Sequence, residues 1–231
     1  MLHKTRGIII NFIAYRETSI IAKVYTEEFG IQTYIENGVR SSRGKNRIAL
    51  FQPATLLDLV VYMNPKKDIQ RISEIKCNHP YETLPYDILK SSIAIFIVEI
   101  LHKTLKEEAE NKPLFNFLNQ TLIDLDEAET GFENTHLQFL LNFAFYLGFA
   151  PQTAKEIGSQ FKESGIPVML SEEAARTVNQ FILGDNPAEL RINRNLRNEL
   201  SDVLLSFYRL HIENLSEIKS LTVLREVLGE Q

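Results

Sequence analysis

Four cations fall within eight residues of this 231-residue chain, Arg40, Arg43, Lys45 and Arg47, with no anion between them. They belong to the stretch "GVRSSRGKNRIALFQP", residues 38–53, which has glycine and serine at its head and the apolar run Ile48, Ala49, Leu50, Phe51 near its end. Guanidinium and ammonium groups at that density suit phosphate contact, because they neutralise a nucleic-acid backbone and release its counterions. A basic turn that is merely solvated is the competing reading, and composition alone leaves both open. Lys66 and Lys67 in "NPKK", Arg71, and Lys4 with Arg6 near the N-terminus would extend a positive track. Tyr25, Tyr34, Phe51 and Tyr62 are candidate base-stacking platforms, although each is equally a residue type that fills a core.

Little else in the chain has the spacing of a reactive centre. The single cysteine, Cys77, excludes an internal disulfide and a CxxC metal knuckle. Cys77 and His79 in "CNHP" stand two apart, but without a second pair they make no metal site. Neither a glycine-rich phosphate loop nor a nucleophile elbow is present, so no catalytic residue, cofactor or metal is expected. The acidic runs "KEEAEN" and "DLDEAE" read as solvated helix ends. Near the C-terminus, Arg209, His211, Lys219 and Arg225 are set among apolar residues. Such a pattern can rim a groove for a carboxylate-ended peptide, or can be ordinary packing of a terminal helix.

The elements that must position these side chains fall into two regions. With 44% hydrophobic and 24% charged residues, the composition is that of a globular protein. No signal peptide and no stretch of bilayer-spanning length is apparent, so the cytoplasm is expected and a membrane is not. Residues 1–80 hold 12 Lys and Arg against 7 Asp and Glu, a balance of +5. Residues 81–231 hold 13 against 23, a balance of −10. A basic first third and an acidic remainder suggest two modules with different partners.

The basic module reads as strands. "GIIINFIAY" and "SIIAKVYTEEFG" are β-branched runs, the second closed by Gly30. "IQTYIENG" alternates Ile31, Thr33 and Ile35 with Gln32, Tyr34 and Glu36, which predicts a half-buried strand with a polar or ligand-facing side. "ATLLDLVVYM" and "DIQRISEIKC" make a fourth and a fifth, separated by the Asn64-Pro65 turn. Five short strands in about 80 residues suggest a small closed barrel, of which the OB-fold is the commonest. Beyond the proline-bearing joint "HPYETLPYD" the periodicity turns helical. Helices are predicted from Tyr86 to Ala109, over "PLFNFLNQTLIDLDEA", and over "HLQFLLNFAFYLGFAP" behind a Thr135/Gln138 capping box. Three more follow: Ser171 to about Leu183, Asn193 to His211, and a short one near 218–228, with 151–170 read as loop. The fold class is therefore α+β: an N-terminal five-stranded OB-fold barrel, residues 1–80, followed by an all-α domain, residues 81–231.

The order of these stretches resembles a known family. "RGIIINFIAYRETSIIAKVYTEEFG", "NGVRSSRGKN", "LFQPATLLDLVVYMNPKKDIQRISEI", "FLLNFAFYLGFAP" and "FYRLHIENLSEIKSLTVLREV" are together similar to RecO, the bacterial DNA repair and recombination mediators. The resemblance implies an OB-fold that binds single- and double-stranded DNA and anneals complementary strands, followed by a helical domain. It implies two partners: RecR, with which the family helps load recombinase, and the acidic C-terminal tail of single-strand-binding protein. On this basis Arg40, Arg43, Lys45 and Arg47 fall in the loop expected to meet DNA, and Arg209 and Lys219 are candidates for the tail. Many members carry a four-cysteine zinc site after the "G-F-x-P" turn, but here the interval 151–176 has no cysteine. The alternative function is a protein-interaction adaptor with little DNA affinity of its own. An enzyme is the weakest reading, since no nucleotidyl-transfer lysine motif is present.

Overall fold

The computed structural model describes residues 1–41, 47–106, 109–185, 189–190 and 192–229. They fold into two compact units, Met1–Tyr86 with Val98–Asp126, and Asp87–Ile97 with Glu127–Gln231.

The first unit is built on β1 (Leu2–Tyr15), β2 (Ser19–Thr26), β3 (Gly30–Glu36), β4 (Leu56–Tyr62) and β5 (Ile69–Cys77). They close into a barrel in the order β1-β2-β3-β5-β4, with β3 and β5 parallel and every other pair antiparallel. This is the predicted OB-fold. The long first strand makes closure possible: its N-terminal half pairs β4 and its C-terminal half pairs β2. Gly7 stands where the two pairings meet. A Cβ there would lie 2.8 Å from Val24 Cγ1 and 2.9 Å from Leu59 Cδ1, so the barrel closes tightly because this residue has no side chain. Ile9, Ile20, Ala22, Val24, Tyr34, Leu57, Leu59 and Val61 fill the interior. Val39 and Phe51, from the connection between β3 and β4, join that cluster.

The alternation in β3 has the opposite sign to the one expected. Gln32, Tyr34 and Glu36 point into the barrel and are buried, while Thr33 and Ile35 lie on the outside, half-buried. Two of the inward polar groups are accommodated locally, while the buried Tyr34 hydroxyl has no hydrogen-bond partner among the described residues. Gln32 Nε2 donates to the Phe29 carbonyl at 3.0 Å, and Glu36 pairs with Arg47 at 2.7 Å. Tyr34 fills the core, and burial drives its phenol far up from its ordinary pKa.

Helix α1 (Ile88–Thr104) starts at Asp87, whose carboxylate accepts from the amides of Leu89 and Lys90 at 2.8 and 3.0 Å. Helix α2 (Lys112–Glu127) belongs to the barrel's unit. On the barrel's outer surface Leu56, Ile8, Tyr25 and Ile31 are consecutive cross-strand neighbours and all are buried. Phe115 of α2 stacks on Tyr25 at 6.1 Å between ring centroids. At the other end of α2, Asp126 collects the chain as it leaves the barrel. Its carboxylate accepts from the amides of Glu82, Thr83 and Leu84 at 3.0, 2.9 and 2.6 Å.

The second unit holds α3 (Thr135–Tyr146), α4 (Ala154–Glu163), α5 (Glu172–Leu183), α6 (Arg194–His211) and α7 (Ser220–Val227). Helices α3 and α6 pack together, and Tyr208 Oη donates to the Leu140 carbonyl at 2.6 Å. Helix α4 corrects the reading of 151–170 as loop. Its stripe Ala154, Ile157 and Phe161 is buried, and Thr153 Oγ1 caps the Glu156 amide at 3.2 Å. One short stripe beside two glycines is a weak periodic signal, although the T-x-x-E cap was legible. The expected Thr135 capping box does not form, because Thr135 is already inside a helical turn that begins in the 3-10 segment Phe132–Asn134.

Candidate nucleic-acid interface

Two faces of the barrel differ in charge. On one, the register sets Ile13 opposite Ile21, Ile21 opposite Ile35, Ile35 opposite Arg71, and Arg71 opposite Tyr62. The neighbouring row runs Asn11, Lys23, Thr33, Ile69. These residues alternate with the core residues of their strands, so they face outward. Ile13 is 60% exposed, Tyr62 51% and Ile69 41%.

Cations surround this surface. The turn between β1 and β2 carries Arg16, and the Arg40 amide donates to the Thr18 carbonyl at 2.9 Å, which fixes the start of the basic loop beside that turn. Arg40 Nη1 also reaches the Arg16 carbonyl at 3.3 Å, and Val39 anchors the segment in the core. Across the face, buried Gln70 braces the turn between β4 and β5. Its side chain accepts from the Asn64 amide at 2.9 Å and donates to the Asn64 carbonyl at 3.0 Å, leaving Lys66 and Lys67 exposed. Arg71 is exposed beside them, and Lys23 lies between. Among the described residues this face gathers six cations, Arg16, Lys23, Arg40, Lys66, Lys67 and Arg71, against the anions Glu17 and Asp68 of the same turns.

Three of the remaining expected contacts, Arg47, Arg6 and Lys4, are engaged or placed otherwise. Arg43 and Lys45 are outside the described residues. Arg47 pairs with Glu36, so its charge compensates a buried carboxylate. Burial pushes the Glu36 carboxyl above its ordinary pKa, and Arg47 opposes that shift. Arg6 is spoken for: Nε and Nη2 fork onto Glu27 at 2.9 and 2.7 Å, Nη2 also donates to Asn116 Oδ1 at 2.8 Å, and the guanidinium lies over the Phe115 ring. Lys4 and Arg6 line a cleft of about 490 Å³ on the β1–β4–β5 surface, in company with one further cation, Lys76, and four anions. That mixed-charge wall has no net attraction for phosphate. Of the four candidate aromatics, Tyr25, Tyr34 and Phe51 are buried and Tyr62 alone is exposed.

Sequence reasoning missed Arg16, Lys23 and the three outward isoleucines. A signal for Lys23 was available, because "SIIAKVYT" alternates Lys23 against Ile20, Ala22 and Val24. The adjacency of Ile13, Ile21 and Ile35 needs strand register, which no local pattern supplies.

In the helical unit Arg209 is exposed on the last turn of α6, and Lys219 is exposed just before α7. A groove of about 580 Å³ there is lined instead by α5, including Glu173, Arg176, Gln180 and Leu183, together with Leu196. Among the described residues no cluster of three or more His, Cys, Asp or Glu is arranged to hold a metal, and no helix is long and apolar enough to cross a membrane.

Comparison with known proteins fits this architecture. A family model described as Recombination protein O N terminal matches residues 1–81, and one described as Recombination protein O C terminal matches 85–222. The chain belongs to the RecO family. It is 34% identical over 246 residues to the DNA repair protein RecO of Phocaeicola vulgatus, covering 99% of this chain and 100% of that protein. It is 32% identical to the RecO proteins of Bacteroides fragilis, over 243 residues, and Flavobacterium psychrophilum, over 236, covering 98% of this chain and 99% of each. The family is one of DNA repair, and both RecO modules are present here, the first coinciding with the barrel.

Proposed function

We propose that this protein is a recombination mediator that binds single- and double-stranded DNA through the cationic β1–β2–β3–β5 face. On this reading it anneals complementary strands without chemical turnover. With RecR it helps load recombinase onto DNA coated by single-strand-binding protein, whose acidic tail docks on the helical unit. Arg209 and Lys219 stay candidates for that contact. The observation that carries the proposal is the charge asymmetry of one barrel: six cations against two anions on the face flanked by the β1–β2 and β4–β5 turns, and a mixed-charge cleft on the other. Those two turns and the adjoining strands are where OB-folds take up oligonucleotides.

The test is a salt titration of oligothymidylate binding by the full chain. Six phosphate contacts at about −0.7 each give a log–log slope near −4. Replacing Lys66, Lys67 and Arg71 with alanine should flatten it by about 2. Lys4→Ala should leave it unchanged. Negligible binding at physiological salt with partner binding intact would favour the adaptor reading instead.

A further inference from the structure

The isoleucines of the cationic face lie outside the barrel's interior cluster. Ile13, Ile21 and Ile35 occupy consecutive strands as direct neighbours, with side chains on the outer surface, while Ile20, Ala22 and Tyr34 on the same strands fill the interior. A solvated strand face ordinarily alternates polar-out, and here the outward positions of this row are aliphatic until Arg71. Elsewhere on the same barrel an outward apolar row, Leu56–Ile8–Tyr25–Ile31, is buried, with α2 packed on Tyr25. On the row Ile13–Ile21–Ile35, Ile13 is 60% exposed and the other two are half-buried, with His102 of α1 touching Asn11 in the adjacent row at 3.4 Å.

We propose that Ile13, Ile21 and Ile35 form a platform for unpaired nucleobases, and that this platform makes the face prefer single strands to duplex. The inference rests on the reading of this face as a DNA-binding surface and adds how it discriminates. Arg16 and Arg40 lie past the strand ends on one side of the row, Lys66 and Lys67 precede Ile69 on its other side, and Arg71 continues the row beyond Ile35. Phosphates held at these edges leave bases free to lie on the aliphatic strip between them. From Ile13 on β1 to Ile35 on β3 the strip crosses two strand spacings, about 10 Å at ~4.8 Å each, the length of about three stacked nucleotides at ~3.4 Å. A duplex turns its bases inward and meets this face with phosphates alone, so it gains the electrostatic term without the apolar one. Isoleucine offers less than an aromatic ring to a base. The preference is therefore modest, and a strand that finds its complement leaves the platform readily.

The experiment compares three probes with the full chain at one salt concentration: oligothymidylate, an abasic strand of equal phosphate number, and a duplex of equal length. Covering about 60 Å² of isoleucine surface at about 25 cal/mol per Å² predicts about tenfold tighter binding of oligothymidylate than of the abasic strand. The triple change Ile13→Thr, Ile21→Thr, Ile35→Thr keeps β-branched residues on the strands. It should abolish that tenfold and leave abasic and duplex binding unchanged. Equal affinity of the wild type for oligothymidylate and the abasic strand would overturn the platform while sparing the charged face, and it needs no variant to be seen. A triple variant that keeps the preference would overturn it too. Failure of the wild type to bind any of the three probes would remove the DNA-binding reading itself.

Discussion

His136 should make the helical unit acid-labile in a way one substitution removes. The ring is fully buried at the head of α3, edge-on to Phe96 at 5.9 Å, with Nε2 3.5 Å from Ser201 Oγ. Burial first, and then the positive charge of Arg197, push its pKa down to about 3. In the unfolded chain a histidine titrates near 6.5. The folded state thus binds fewer protons than the unfolded one throughout the interval between those values. The contribution is fully present above pH 6.5 and is lost as the pH falls towards 3, at about 1.4 kcal/mol for each unit. Between pH 6.5 and 4.5 the loss is close to 3 kcal/mol, a large share of the stability of a domain of this size. His136→Leu is nearly isosteric. The Ser201 hydroxyl keeps its bond to the Arg197 carbonyl at 2.8 Å, and the contact of the ring with the Glu133 backbone is lost. At pH 7 the variant should lie within about 1.5 kcal/mol of the wild type. At pH 4.5 it should be the more stable of the two. Urea unfolding followed by far-ultraviolet circular dichroism at stepped pH measures the difference curve, which cancels the carboxylates common to both proteins. Parallel loss of stability in both proteins below pH 6.5 would refute the argument, as would a ring resonance of His136 titrating near 6.5 in the folded chain.

Two further outcomes follow from buried carboxylates in the barrel unit. Burial pushes the Asp126 carboxyl up, but the amides of Glu82, Leu84 and Thr83 and the Thr83 hydroxyl outweigh it and hold its pKa below the ordinary value. Asp126→Ala strands those amides and should cost about 3 kcal/mol in urea unfolding. Asp126→Asn, which keeps one acceptor, should cost less, and its deficit should shrink as the pH falls below about 4, where the unfolded chain's carboxylate takes up a proton that the folded one still refuses. For Glu36 the sign reverses, since burial raises its pKa and Arg47 only partly offsets that. Arg47→Ala should destabilise by about 1–2 kcal/mol, discounted for the exposure of the arginine. Glu36→Gln should be tolerated, and the guanidinium it frees should steepen the salt slope of oligothymidylate binding by about 0.7.

The five strands were legible because their β-branched runs are separated by strong turn residues. The final helices were legible because Ser171 and Asn193 are caps, each accepting from the amide three residues on. What eluded the sequence was sign and register. "IQTYIE" alternates visibly, but alternation does not say which side is inside. Tyr34 wins the interior by volume, with Gln32 and Glu36 following because each finds a nearby partner. Arg6 and Glu27 are 21 residues apart, and only the hairpin of β1 and β2 brings them together. The same limit applied to the candidate site. Its cations could be counted by composition, but the division into a phosphate-facing set and a structural set depends on which strand each neighbour occupies.

The seat of α2 on the barrel has a practical consequence for dissecting the protein. Cutting the chain where the strands end, near residue 80, would bare the flank formed by Leu56, Ile8, Tyr25 and Ile31 and leave Glu27 to face Arg6 without Asn116 behind it. Such a fragment would be sticky, and its affinity for a polyanion would be confounded by self-association. Helix α2, which ends at Glu127, belongs to the barrel's compact unit, so a fragment meant to test the barrel must extend at least that far.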